Sequence, residues 1–178
     1  MNGSFFLYLQ QLELIAFFSG YPLIYAIAFF IFGNKPLKNN FKSRIFSLLP
    51  FAYALVGTLY LGLQLKNLYP DYSIKNIQLT IQLPWLICWG ILSILFWVPA
   101  LAKKTVVSLV HSLVFFFFIV RDLFLQLPAS TADNDIVRND MKLYTDSLLL
   151  NLGAFALIVL ISFLFSHYKK GQDIYQAK

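Results

Sequence analysis

Three ionisable residues stand close together in a strongly hydrophobic part of the sequence: His111, Arg121 and Asp122. Their segment reads KKTVVSLVHSLVFFFFIVRDLFLQLP, with two lysines at one end and a proline at the other. In a helix each residue turns the chain by about 100°, so residues eleven positions apart point in nearly the same direction. His111 and Asp122 therefore share a face, and Ser108 and Ser112 lie beside His111.

This shared face has two interpretations. Because ionisable residues inside a membrane are often functional, the face could be a polar stripe toward a cavity or partner helix, along which Asp122 and His111 pass protons or ions. In the structural interpretation, Arg121 extends toward the membrane surface, Asp122 pairs with a cation on another helix, and His111 bonds a neighbouring serine. The two candidates are about 16 Å apart at 1.5 Å per residue, and Phe115 and Phe118 fill the face between them. A relay would therefore need a further group.

Two more polar residues are candidates for contact with ions or partners. Asn151 lies inside the last apolar stretch, where its amide predicts a hydrogen bond between helices worth about 0.6–2 kcal/mol. A combined site of His111, Asp122 and Asn151 is the sharper hypothesis. Glu13 near the N-terminus is either a proton-binding carboxylate, if residues 4–20 are buried, or a residue of the outer membrane interface.

Sequence signatures of catalysis and metal binding are missing. The two histidines and one cysteine do not have the paired spacing typical of zinc or haem ligands. Gly-rich phosphate-binding loops and serine-nucleophile motifs are also absent. We therefore predict no catalytic residue, no metal and no cofactor. A lipid-directed membrane enzyme stays an open alternative, because such enzymes can lack a clear signature.

The elements that must position these residues are membrane-spanning helices. Of 178 residues, 59% are hydrophobic and 12% charged, whereas soluble domains have about 25% charged residues. Several apolar runs reach the roughly 20 residues that cross a bilayer. The sequence predicts an all-α, polytopic integral membrane bundle, a single transmembrane helical domain over residues 1–178. Its five spans lie at about 14–33, 46–65, 83–102, 105–127 and 147–165.

The distribution of Lys and Arg predicts the orientation. With five spans, nine of the fourteen basic residues fall on one side of the membrane and five on the other. The side with more basic residues is expected to be cytoplasmic, so the N-terminus lies outside and the C-terminus in the cytoplasm. We expect the cell inner membrane as the location. The net charge of +6 reflects these topology signals, and no nucleic-acid partner is predicted.

These features favour a non-catalytic subunit or accessory protein of a larger inner-membrane complex, of the transport, secretion or respiratory type. An odd number of spans without an internal repeat differs from the inverted-repeat design of many secondary transporters. The expected partners are the lipid bilayer and other integral membrane subunits. The alternative is a small homo-oligomeric channel or carrier for protons, ions or a small solute, with His111, Asp122 and Glu13 along its path.

Overall fold

A computed structural model describes residues 14–32, 41–70, 72–73, 84–126 and 134–176. Every regular element in these ranges is helical and none is a strand, which confirms the all-α prediction for this part of the chain. The elements are α1 (Leu14–Ser19), α2 (Tyr21–Phe32), α3 (Phe41–Phe46), α4 (Leu49–Leu68), α5 (Pro84–Leu92), a 3₁₀ helix (Ser93–Trp97), α6 (Pro99–Ala102), α7 (Thr105–Gln126) and α8 (Asn134–Gln176).

Two helical stretches are long and apolar enough to cross a membrane. They are Arg44–Leu68 and Tyr144–Tyr168, each 25 residues long. Three other apolar helices are shorter, namely Phe17–Ile31, Trp85–Trp97 and Thr105–Phe118. Because a core helix of a soluble protein can pass the same test, two long helices give only weak support for a membrane location. Two such helices do not establish the predicted bundle of five spans.

The predicted span at 14–33 consists of two helices, α1 and α2, with a turn at Gly20 between them. Pro22 is the second residue of α2, where a missing backbone N–H costs little because the first N–H groups of a helix have no acceptor within that helix. Ile24 N donates to Gly20 O at 3.3 Å and continues the chain of backbone hydrogen bonds. The interruption between the two helices lies within the sequence Ser-Gly-Tyr-Pro at residues 19–22.

The predicted span at 83–102 is not a continuous α-helix. After α5 the chain tightens into the 3₁₀ helix, and Val98 is extended, with φ −74° and ψ 121°, before α6 begins. A proline disfavours the helical conformation of the residue before it, and Pro99 follows Val98 directly. Hydropathy alone therefore predicted one continuous helix, although Pro99 interrupts the helix at Val98.

The last helix is much longer than the predicted span at 147–165. Helix α8 has 43 residues, so the polar segments on both sides of that span are helical too. No proline lies in α8, and its polar ends contain Arg, Lys and Gln, which are good helix formers, together with Asp, which is a poorer one. Hydropathy indicates which residues prefer lipid and does not mark where a helix ends.

The helices pack around a core rich in aromatic side chains. Helices α2 and α7, from the first and fourth predicted segments, run antiparallel: Tyr21 and Tyr25 contact Ser108 and Thr105, in reverse order. Helices α1 and α8 meet near Gly20, where Gly20 N bonds Ser147 and Phe17 O bonds Asn151. Among the described residues, the fully buried aromatic side chains of the core are Phe17, Phe18, Tyr21, Tyr53, Tyr60 and Phe115.

Candidate functional site

His111 lies in an aromatic enclosure formed by side chains from α4, α5, α7 and the 3₁₀ helix. Its ring stacks on the indole of Trp89, with ring centroids 4.6 Å apart and an interplanar angle of 5°. Trp89 Nε1 also donates a hydrogen bond to the backbone oxygen of His111 at 3.2 Å. The rings of Tyr53 and Phe96 approach edge-on at 5.6 and 5.9 Å. These contacts fix the imidazole in one orientation.

The imidazole has one hydrogen bond to another helix. Its Nδ1 atom lies 2.7 Å from the hydroxyl oxygen of Tyr53 on α4, and the Tyr53 side chain is fully buried. If the phenol donates to Nδ1, the single hydrogen of a neutral imidazole is on Nε2. The Nε2 atom is buried and has no hydrogen-bond partner among the described residues. The pair therefore joins α4 to α7 through one nitrogen and leaves the other unused.

The two serines next to His111 bond elsewhere. Ser108 donates to Thr105 O at 2.7 Å, and Ser112 donates to Leu109 O at 2.8 Å, so each hydroxyl hydrogen stays within α7. Ser108 Oγ therefore accepts from the hydroxyl of Tyr21, 2.7 Å away on α2. The expectation that His111 bonds a neighbouring serine is wrong, because serine back-bonding to the preceding turn competes for that hydrogen. Its partner is Tyr53.

Asn151 joins α8 to α1. Its Nδ2 atom donates to Phe17 O and to Ser147 O, both at 2.9 Å. One turn earlier, Ser147 Oγ accepts from Gly20 N at 2.9 Å and from Ser19 Oγ at 3.3 Å. The amide thus makes the kind of interhelical hydrogen bond that its position in an apolar stretch predicts. Its Oδ1 atom is buried and has no partner in the described part of the chain.

The remaining candidates do not join this arrangement in the described residues. Arg121 is exposed near the end of α7. The backbone of Asp122 lies in α7, but its side chain is outside the described part, as is all of Glu13. A site combining His111, Asp122 and Asn151 stays a prediction. Between His111 and α1 lies Phe115, which contacts the imidazole at 6.2 Å and stacks on Phe18 at 4.6 Å.

No family model, curated protein or solved structure matches this chain. Its chemistry is therefore read from its own contacts. Among the residues that the structure describes, no group of three or more His, Cys, Asp or Glu side chains could hold a metal ion. Of the predicted residues, His111 on α7 and Asn151 on α8 are each bonded to another helix.

Sequence reasoning missed the partners of both residues. Tyr53 and Trp89 stand in apolar stretches, where they look like ordinary core or interface aromatics. One signal was available for Tyr53: a phenol in the middle of an apolar helix needs a hydrogen-bond partner when it is buried. Nothing in the sequence pairs Trp89 with His111. The indole of Trp89 stacks on His111 and donates to its backbone oxygen only because tertiary packing brings α5 and α7 together.

Proposed function

We propose that this chain is a polytopic protein of the cell inner membrane and a non-catalytic subunit or accessory protein of a larger membrane complex. The observation that carries the proposal is that interior polar side chains form hydrogen bonds between helices. Asn151 and Tyr53 bond helix to helix, and such bonds hold a bundle together where lipid gives no hydrophobic drive for helix association. The interior polar side chains thus serve assembly of the helices.

The proposed topology has five segments that cross the same layer in alternating directions, with the N-terminus outside and the C-terminus in the cytoplasm. Contacts between segments support it. At one end, Tyr25 packs on Phe46, and Arg44 donates to Ser166. At the other end, Trp85 packs on Phe118, 5.5 Å between ring centroids. Lys103 and Lys104, which the sequence assigns to the cytoplasm, directly precede Thr105, whose hydroxyl lies 3.3 Å from that of Tyr25 at the first end. Segments shorter than a full span are tolerated where neighbouring helices cover them.

The surface we assign to a partner subunit is the exposed face of α8 around Gly153. Leu149, Leu152 and Leu160 are 59, 51 and 62% exposed on this helix. Gly153 is exposed too, and a Cβ added to it would meet no atom within 4 Å. A small residue among leucines allows the backbone of a second helix to approach closely, as is common between helices in lipid. The occupant we propose is a membrane helix of another subunit.

The test is purification of the tagged chain from its own membrane in mild detergent, followed by intact-complex mass spectrometry. We expect a second integral membrane protein at fixed stoichiometry. The substitution Gly153→Leu should lower its occupancy about tenfold, since losing about 1.4 kcal/mol of packing energy has that effect. The matched control is Gly62→Leu, because Gly62 on α4 is also exposed with no atom within 4 Å of an added Cβ. Equal occupancy in both variants, or a homo-oligomer alone, would count against the proposal.

One observation favours a second function, a homo-oligomeric channel or carrier. The buried Nε2 of His111 lacks a partner among the described residues, as a nitrogen that exchanges a proton or ion would. Purified protein in liposomes tests this through proton or ion flux. A carrier that uses these residues should lose most of its flux in His111→Ala and in Asp122→Asn. Flux that is unchanged in both variants would exclude them from the path.

A further inference from the structure

A groove runs between the start of the Arg44–Leu68 stretch and the last turns of the Tyr144–Tyr168 stretch. Its volume is about 330 Å³, within the usual range of small-molecule pockets. The lining is mostly apolar and includes Leu48, Val159 and Phe163. Arg44 and Ser166 lie at one end of the same groove. The groove is thus amphiphilic, with a polar end and an apolar body.

The polar end carries a positive charge that its hydrogen bond does not neutralise. Arg44 is exposed, and its guanidinium donates to Ser166 Oγ at 3.1 Å. A serine hydroxyl is neutral, and a guanidinium has five N–H donors in a planar fork, so donors remain for a second acceptor. That geometry matches the oxygens of a phosphate. In the sequence from 34 to 44, Arg44 is accompanied by three lysines and no acidic residue.

We propose that this groove binds a lipid with an anionic phosphate headgroup. The phosphate contacts the guanidinium of Arg44 and the hydroxyl of Ser166, and one acyl chain lies along Leu48, Val159 and Phe163. The inference rests on the membrane topology proposed above, which places Arg44 and Ser166 where the cytoplasmic headgroups meet the hydrocarbon. Basic pockets between helices on that side of a membrane commonly hold anionic headgroups. The apolar lining favours an amphiphile over free phosphate, which has no apolar part to bury.

The test uses the full chain purified in a non-ionic detergent. It is titrated with phosphatidylglycerol or with phosphatidylcholine of the same acyl chains, and bound lipid is counted by native mass spectrometry. Arg44→Gln should lower phosphatidylglycerol affinity about tenfold or more, since hydrogen bonds to charged groups are the strong ones. Phosphatidylcholine binding should change little. The matched control is Arg121→Gln, which removes the same charge from another exposed arginine and should leave phosphatidylglycerol affinity unchanged.

Two further variants separate the headgroup contact from the chain contact. Arg44→Lys keeps the charge but loses the fork, so we expect an intermediate affinity. Val159→Trp keeps Arg44 and fills the groove, so phosphatidylglycerol affinity should fall although the charge is intact. Equal affinity in Arg44→Gln and Arg121→Gln overturns the proposal. So does unchanged affinity in Val159→Trp, and so does complete displacement of the lipid by inorganic phosphate.

Failure of this inference can be told apart from failure of the proposed function. The titration uses the isolated chain, so it does not depend on a partner subunit. A chain that purifies without partners but binds phosphatidylglycerol through Arg44 keeps the lipid site and loses the subunit assignment. A chain that purifies with a partner at fixed stoichiometry, but whose two arginine variants bind the lipid equally, keeps the subunit assignment and loses the lipid site.

Discussion

Two parts of helix α8 meet the rest of the molecule in different ways. In the packed part, residues 144–158, one face is buried and includes Ser147, Asn151 and Ala154, and the first two bond to Gly20 and to Phe17 of α1. In the open part, residues 159–168, every residue is exposed or only partly buried. Hydrogen bonds and backbone contact position the packed part, whereas apolar side chains that lipid can cover dominate the open part. In a bilayer, burial of apolar area alone does not select a neighbour, so the packed part should carry most of the structural specificity.

The largest effect should come from the closest backbone contact in the packed part. A Cβ on Gly20 would lie 2.8 Å from Leu148 N and 2.9 Å from Ser147 O. Because backbone cannot rotate away as a side chain can, Gly20→Ala should destabilise the protein by about 3 kcal/mol. Thermal unfolding in detergent, followed by circular dichroism, measures the change.

Gly153→Ala is the control for that substitution, since its added Cβ meets no atom within 4 Å. Alanine is the better helix former, so this variant should be unchanged or stabilised by up to about 1 kcal/mol. If Gly20→Ala and Gly153→Ala have the same stability, the close contact between α1 and α8 does not hold the packed part.

A smaller effect should follow from removing the amide in the packed part. Asn151→Leu keeps a similar volume but leaves Phe17 O without the Nδ2 donor at 2.9 Å. The expected loss is about 1–2 kcal/mol, near the upper range of single hydrogen bonds between membrane helices. The same unfolding experiment measures it. A loss below about 0.5 kcal/mol would mean that the amide contributes no more than a surface residue.

The smallest effect should occur in the open part. Ser166→Ala removes the hydroxyl that accepts from Arg44 at 3.1 Å, but Arg44 is exposed and can bond water or a headgroup instead. Stability should change by less than about 0.5 kcal/mol, as is usual for surface substitutions. A loss equal to that of Asn151→Leu would contradict the distinction between the packed and open parts.

The sequence predicted the features of the fold that depend on composition. Long apolar runs predicted an all-α chain. The break at Val98 and the long polar ends of α8 were missed, because hydropathy measures preference for lipid and contains no information about backbone conformation.

The candidate site was predicted only in part, for a related reason. His111 and Asn151 stood out because polar atoms in apolar sequence require partners. Their partners, the hydroxyl of Tyr53 and the carbonyl oxygen of Phe17, are 58 and 134 residues away in the chain. Only tertiary packing brings such groups together, and a single sequence does not encode those distances. The roles suggested for Asp122 and Glu13 stay predictions.

The unbroken length of α8 has a mechanical consequence. Its 43 residues extend about 65 Å at 1.5 Å per residue, roughly twice the 30 Å hydrocarbon thickness of a bilayer. A continuous helix of this kind is a stiff rod. The hydrogen bonds of Ser147 and Asn151 and the contacts with α4, α2 and α7 hold it between its two ends. In the membrane topology proposed above, a small tilt imposed on one aqueous side would displace the opposite end in the reverse direction, so the rod would transmit force across the bilayer without any change in its own fold.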